Sequence, residues 1–129
     1  MPLTAQLPAA QPVCAELDIH RVLTLRFDRD ITPAMLDMAV AEIARISDGA
    51  RVDAFLIDSR GCEAAYQTAE LSTAIERIMD EIAPRRCAVL AAGERTHAFR
   101  VLESTARAYA VKTQPFTEEH EARAWLLQS

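Results

Sequence analysis

Lysine is almost missing from this chain: of its 14 basic residues Lys112 is the single lysine, and the rest are arginines. A nucleotide-composition bias accounts for that more simply than a functional role for every arginine. The basic residues are also outnumbered by 19 acidic ones, leaving a formal net charge of −5. No positive excess is available to neutralise a phosphate backbone and no local basic patch stands out, so nucleic acid is not an expected partner. Long apolar runs are missing as well. No stretch approaches the ~18 uninterrupted apolar residues of a membrane span, and Met1 to Pro12 place no Lys or Arg ahead of an apolar core, as a secretory signal would. Cysteine is sparse and odd in number. Cys14, Cys62 and Cys87 show no C-x-x-C or Cys/His spacing, so neither a disulfide framework nor a metal site is expected, and a reduced, cytoplasmic setting fits. No G-x-G-x-x-G or G-x-x-x-x-G-K sequence cradles a nucleotide, and no cofactor is expected.

What remains is a chain of 129 residues, half apolar and 26% charged, suited to one domain with a real hydrophobic core. Residues 1–12, rich in Ala, Gln and Pro, read as a flexible N-terminal arm, and 13–129 as the domain. Val13, Ala15, Leu17 and Ile19 share one parity that Leu23, Leu25 and Phe27 resume. A hairpin turning near His20 to Val22 would therefore pair Ile19 with Leu23 and Leu17 with Leu25. Thr32 can cap a first helix with Pro33 at its first position and Ile31 stapled onto Leu36, and Gly49 ends it. Val52 to Ile57 forms a buried strand that releases into Asp58, Ser59, Arg60 and Gly61. A second helix capped by Thr68 buries Leu71, Ile75, Ile78, Met79 and Ile82 and stops at Pro84.

Cys87 to Ala92 is a second near-continuous apolar run, which implies a parallel strand covered on both faces. A third helix from about Thr96 buries Phe99, Leu102, Ala106 and Tyr109. Val111 to Phe116 is a weaker strand whose Pro115 suits a sheet edge. Thr117 then caps a last helix with Ala122, Trp125 and Leu126 turned inward, Trp125 as a core residue. The order is ββαβαβαβα: an α/β fold with a single mostly parallel sheet, an antiparallel N-terminal strand and helices on both faces.

That order, the strand ending in Asp58, Ser59, Arg60, Gly61, and the stretch Val111, Lys112, Thr113, Gln114, Pro115, Phe116 followed by Glu121, Ala122, Arg123, Ala124, Trp125, Leu126 resemble the SpoIIAA-like proteins of the STAS/SEC14 group. The resemblance covers residues 15 to 127. It implies a bacterial, cytoplasmic, non-enzymatic regulatory or protein-interaction module in signalling, with a Ser or Thr phosphorylated by a partner kinase. Ser59 imitates the motif's letters directly at the strand end. The family's regulatory register falls instead near Gln67 and Thr68, where the motif's Asp, Ser and Gly do not follow.

Function should gather where parallel strands release their carboxyl ends. The candidate loops are Asp58, Ser59, Arg60 and Gly61, and Gly93, Arg95, Thr96 and His97, expected side by side. Helix-start amides beside Arg95 could hold an anion, although a solvated loop is the simpler reading. Cys62 would be a reactive thiol if Arg60 lowered its pKa, and is otherwise an ordinary surface cysteine. Three functions stay open. The resemblance favours the interaction module, and its SEC14 side suggests a small-molecule or lipid-binding domain, with a small apolar or anionic ligand. Asp58, Ser59 and His97 would have to converge to make a small enzyme, whereas their simpler roles are turn and loop bonds. An apolar cavity with a few convergent polar groups would favour ligand binding; a flat, partly apolar face would favour a partner. Phe116 and Leu127, beside the Pro115 strand, have few obvious partners in a monomer and make a homodimer conceivable.

Overall fold

The computed structural model describes residues 12–63, 68–91 and 97–128, apart from the side chains of Thr68 and His97. The elements are β1 (Val13–Leu17), β2 (Val22–Phe27), α1 (Pro33–Gly49), β3 (Ala54–Asp58), α2 (Thr68–Ile82), β4 (Arg86–Leu90), α3 (His97–Ala108), β5 (Thr113–Phe116) and α4 (Glu119–Leu126). The strands form one five-stranded sheet in the order β1-β2-β3-β4-β5. β1 is antiparallel to β2, and the other three pairings are parallel. This is the α/β architecture expected from the alternating pattern.

The strand order never reverses. Each right-handed β-α-β crossover steps the sheet in the same direction, so all three crossover helices are laid on one face. Leu23, Leu25, Phe55, Ile57, Cys87 and Val89 point into that face and join side chains of α1, α2 and α3 in the larger core. The opposite face holds a smaller cluster in which Val22, Ala54, Leu56, Ala88 and Leu90 meet Ala122 and Leu126 of α4. The middle strands are covered on both sides, as their continuous apolar runs require. A doubly wound sheet has a crevice where its strand order turns back; this sheet has no such point, so any cleft must come from how the three helices diverge.

Helix signals in the sequence are mostly honoured. Thr32 caps α1, its hydroxyl accepting from the Met35 N–H at 3.2 Å, with Pro33 in the first turn. All five apolar residues expected on the inner face of α2 are buried. Other expectations shift. Leu17 pairs with Leu23 and Ala15 with Leu25, because the turn is a three-residue loop of Ile19, His20 and Arg21. Asp18 N–H donates to the Val22 carbonyl and Arg21 N–H to the Asp18 carbonyl, both at 3.1 Å. The Asp18 carboxylate also accepts from the His20 and Val22 N–H groups at 2.8 and 3.2 Å. Arg21 takes the left-handed position, φ 64°, that glycine usually fills in such loops. Ile19 is thereby expelled from the sheet and is 90% exposed.

Elsewhere the bounds move by one or two residues. The expected Val52–Ile57 strand is Ala54–Asp58, and Gly49 is the last residue of α1, with Ala50 as its C-cap. Thr68 is the first described residue of α2 rather than a residue ahead of it. The cap of α4 is Glu118, not Thr117, and it makes no side-chain capping bond. Trp125 is half-buried: it packs on Phe116 with ring centroids 5.9 Å apart and lies under the Arg86 guanidinium at 5.5 Å. Phe116 therefore has its partner within the chain, while Leu127 stays 49% exposed. Among the described residues no helix is long and apolar enough to cross a membrane.

Candidate functional site

The parallel strands release their carboxyl ends at one side of the sheet, and two environments meet there. On the α4 side lies Asp58, the last residue of β3 and only 9% exposed. A buried carboxylate must be paired, and the sequence supplies two arginines. Arg26 of β2, the lateral neighbour of Asp58 in the sheet, donates to it at 2.6 Å. Arg60, two residues on, grips both carboxylate oxygens through Nε and Nη2 at 3.0 and 2.9 Å, and its backbone N–H donates at 3.2 Å.

The network continues across the sheet. The other Nη of Arg26 reaches both oxygens of Glu119, at the start of α4, at 3.1 Å. Glu119 also accepts from Arg123 at 3.1 Å, and Arg123 in turn donates to Asp18 at 2.5 Å and to the Thr24 hydroxyl at 3.3 Å. Asp18, Arg123, Glu119, Arg26, Asp58 and Arg60 thus form one electroneutral chain that ties the hairpin turn to α4 and to the end of β3. Burial pushes the Asp58, Asp18 and Glu119 carboxyls up, but the arginines, helped at Asp58 and Asp18 by backbone N–H donors, outweigh it and hold all three below the usual carboxylate range.

On the other side Ser59 turns away from Asp58. Its N–H and its hydroxyl both donate to the Leu90 carbonyl, each at 3.1 Å, and so clamp the exit of β3 to that of β4. Gly61 follows at φ +78°, the left-handed conformation that glycine tolerates. Cys62 donates its S–H to the Phe27 carbonyl at 3.3 Å. Burial, reinforced by the charges of Asp30, Asp58 and Asp28, pushes its thiol up. The thiol activated by Arg60 is thus overturned, because Arg60 is committed to Asp58. The loop is pinned to the start of α1: Glu63 N–H donates to Asp30 at 3.0 Å and Ile31 N–H to the Glu63 carbonyl at 2.8 Å.

Asp58 and Ser59 are therefore neighbours whose side chains serve opposite faces, one held by arginines and the other by backbone. Gly93, Arg95 and Thr96 lie outside the described residues; His97 opens α3, with its side chain also outside them. Cys87 is fully enclosed, and burial pushes its thiol up to about 12. Among the described residues no group of His, Cys, Asp or Glu could hold a metal ion.

Between the sheet and the amino-terminal ends of the three crossover helices the core opens into a cleft of about 420 Å³. Its floor is Leu25, Phe27, Ile57 and Val89, and α2 and α3 wall it with Leu71, Ile75, Ile78 and Phe99. These side chains are buried; Ile31, Cys62, Ala98 and Leu102 at the opening are half-exposed. Ser59, Gly61 and Glu63 form the polar rim. Periodicity assigned the apolar floor and walls of the cleft to the core, and it carries no signal for where packed helices diverge. A second, shallower basin of about 670 Å³ lies on the α4 face, where α4 leaves β1 and β2 uncovered; Asp18, Ile19, Arg21, Thr24, Arg26 and Arg123 line it.

Fold and site define a small α/β domain with an apolar cleft at the strand exits. The chain matches no model of a known protein family and no curated protein.

Proposed function

We propose that this protein is a binding domain for a small, mainly apolar molecule. One observation carries the reading: a cleft of about 420 Å³, walled by aliphatic and aromatic side chains and rimmed by a few polar groups, at the end of the sheet where the parallel strands release their carboxyl ends. Its size lies in the range of small-molecule sites, roughly 300–1,000 Å³. A core of this kind would otherwise close, because a void forfeits the contacts of the atoms lining it. Titration with the uncharged dye Nile red tests the proposal. Saturable one-to-one binding is expected, and Ala98→Phe at the half-exposed opening should weaken it at least tenfold while leaving the circular dichroism unchanged. Dye binding that does not saturate, or that Ala98→Phe leaves intact, would refute it.

A partner-protein role of the STAS-like kind has a separate observation in its favour, the basin on the α4 face with Ile19 90% exposed at its edge. On that reading Ser59 or Thr68 is the hydroxyl a kinase would modify, and modification of Ser59 would release its bond to Leu90. The two readings separate at Ile19→Ser, which should remove partner binding and leave the Nile red titration unchanged.

A further inference from the structure

We propose that the cleft has a competitor within the chain itself: the amino-terminal segment, residues 1–11, which lays Leu7 into it when no ligand is bound. The inference rests on the ligand-binding reading and concerns how that same site is regulated. The segment is rooted beside the opening. It joins the described fold at Pro12, whose carbonyl accepts the Asp28 N–H at 3.3 Å, and the next residue, Val13, pairs with Phe27 in the sheet. Phe27 belongs to the floor of the cleft. Its carbonyl also receives the Cys62 thiol of the opening, at 3.3 Å, so the root of the segment and the mouth of the cleft meet on the same stretch of backbone.

Chemistry and reach select this site for the segment. Residues 1–12 contain no charged side chain and carry their larger apolar ones at Met1, Leu3 and Leu7, which suits a cleft walled by Leu71, Ile75, Ile78 and Phe99. The basin on the α4 face does not suit it: Glu16, Asp18, Arg21, Arg26 and Arg123 line that surface, and an uncharged segment laid there would desolvate charge without pairing it. From Pro12 back to Leu7 an extended chain spans up to about 17 Å. The cleft floor runs from β2 across β3 to β4, two strand spacings or about 10 Å, so Leu7 has the length to reach its middle. On so short a tether its effective concentration is on the order of millimolar. A weak fit is then enough to compete, because a ligand's apparent affinity falls with the fraction of molecules whose cleft is free.

Nile red titration of the full-length chain and of its Leu7→Ser variant tests the inference, with circular dichroism checking that both fold alike. Leu7→Ser should tighten dye binding about fivefold, and Thr4→Ser, in the same segment, should alter nothing. A synthetic peptide of residues 1–12 should displace the dye from the Leu7→Ser protein at concentrations on the order of millimolar, and the same peptide carrying Leu7→Ser should not. Dye affinity that Leu7→Ser leaves within about twofold of wild type, or displacement by both peptides alike, would overturn the competitor while leaving the cleft as a ligand site. If neither protein binds the dye saturably, the ligand-binding reading fails and the competitor with it.

Discussion

The two faces of the sheet are held by different physics. Under α1, α2 and α3 the contacts are apolar and deep: Phe55, Leu23 and Leu25 are fully buried, joined by Ile43 from α1 and Met79 from α2. Under α4 the apolar cluster is small, its strand residues include Ala54 and Ala88, and six charged side chains take over where the apolar contact ends. The difference follows from connectivity. Three right-handed crossovers in one direction deliver three helices to one face, leaving the other to the single helix that follows the last strand. Area burial stabilises the first face whatever the pH, whereas the second depends on charge.

The largest expected effect separates the two faces directly. Phe55→Ala should cost about 4 kcal/mol, as the loss of a fully enclosed aromatic does, and Trp125→Ala about 2 kcal/mol, since that ring is half-buried. Urea unfolding of both variants checks this; equal losses would mean that α4 anchors its face as firmly as three helices anchor theirs.

Next comes the charge network. Asp58→Asn should cost about 2 kcal/mol at pH 7, because it leaves Arg26 and Arg60 without their shared partner. The sign of its pH dependence is fixed. Asp18, Asp58 and Glu119 have pKa values lowered in the fold, so their contribution is fully present above the unfolded values near ~4. It is lost as pH falls from there through the folded values. Denaturation curves between pH 7 and pH 2.5 should therefore show wild-type stability falling steeply below about pH 4.5, and Asp58→Asn flattening that fall. An unchanged acid limb in the variant would remove Asp58 from the account.

The smallest effect sits at the seam between the faces. Gly61→Ala should cost about 1 kcal/mol through its left-handed backbone alone, since a Cβ there meets nothing within 4 Å. A loss above about 3 kcal/mol in the same urea assay would mean that the Asp58–Glu63 loop carries tertiary contacts beyond those described.

Local signals were legible in the sequence wherever one periodicity decided the matter. The apolar runs before Asp58 and Gly93 marked doubly covered strands, the α2 stripe marked an inner face, and Thr32 with Pro33 marked a helix start. The hairpin register was misread because its turn places Arg21, not a glycine, in the left-handed position, so the usual marker was missing. The α4 cap was misread because Glu118 fills it without a capping bond. Asp58 stood out in the sequence from its place at a strand end, and the structure holds it between Arg26 and Arg60. Its partner Arg26 was visible only as an outward-facing member of β2, and Glu119 lies 93 residues from Arg26, a separation at which no local pattern speaks. The cleft was illegible because a residue lining a cavity and one filling a core have the same spacing.

The uninterrupted strand order has one further consequence, for the assembly of the fold. Each parallel pair is closed by a short stretch of chain, Arg26 to Asp58 spanning 32 residues, so the sheet can extend strand by strand through nearby encounters. The clasp across the finished sheet is different: Arg123 reaches back 105 residues to Asp18. For a free chain, tripling the loop adds only about 1 kcal/mol of closure entropy, but the ion pairs at stake are individually weak. Such a clasp holds only once the intervening strands have already brought its ends together, which makes α4 the element that latches a sheet the other strands and helices have built.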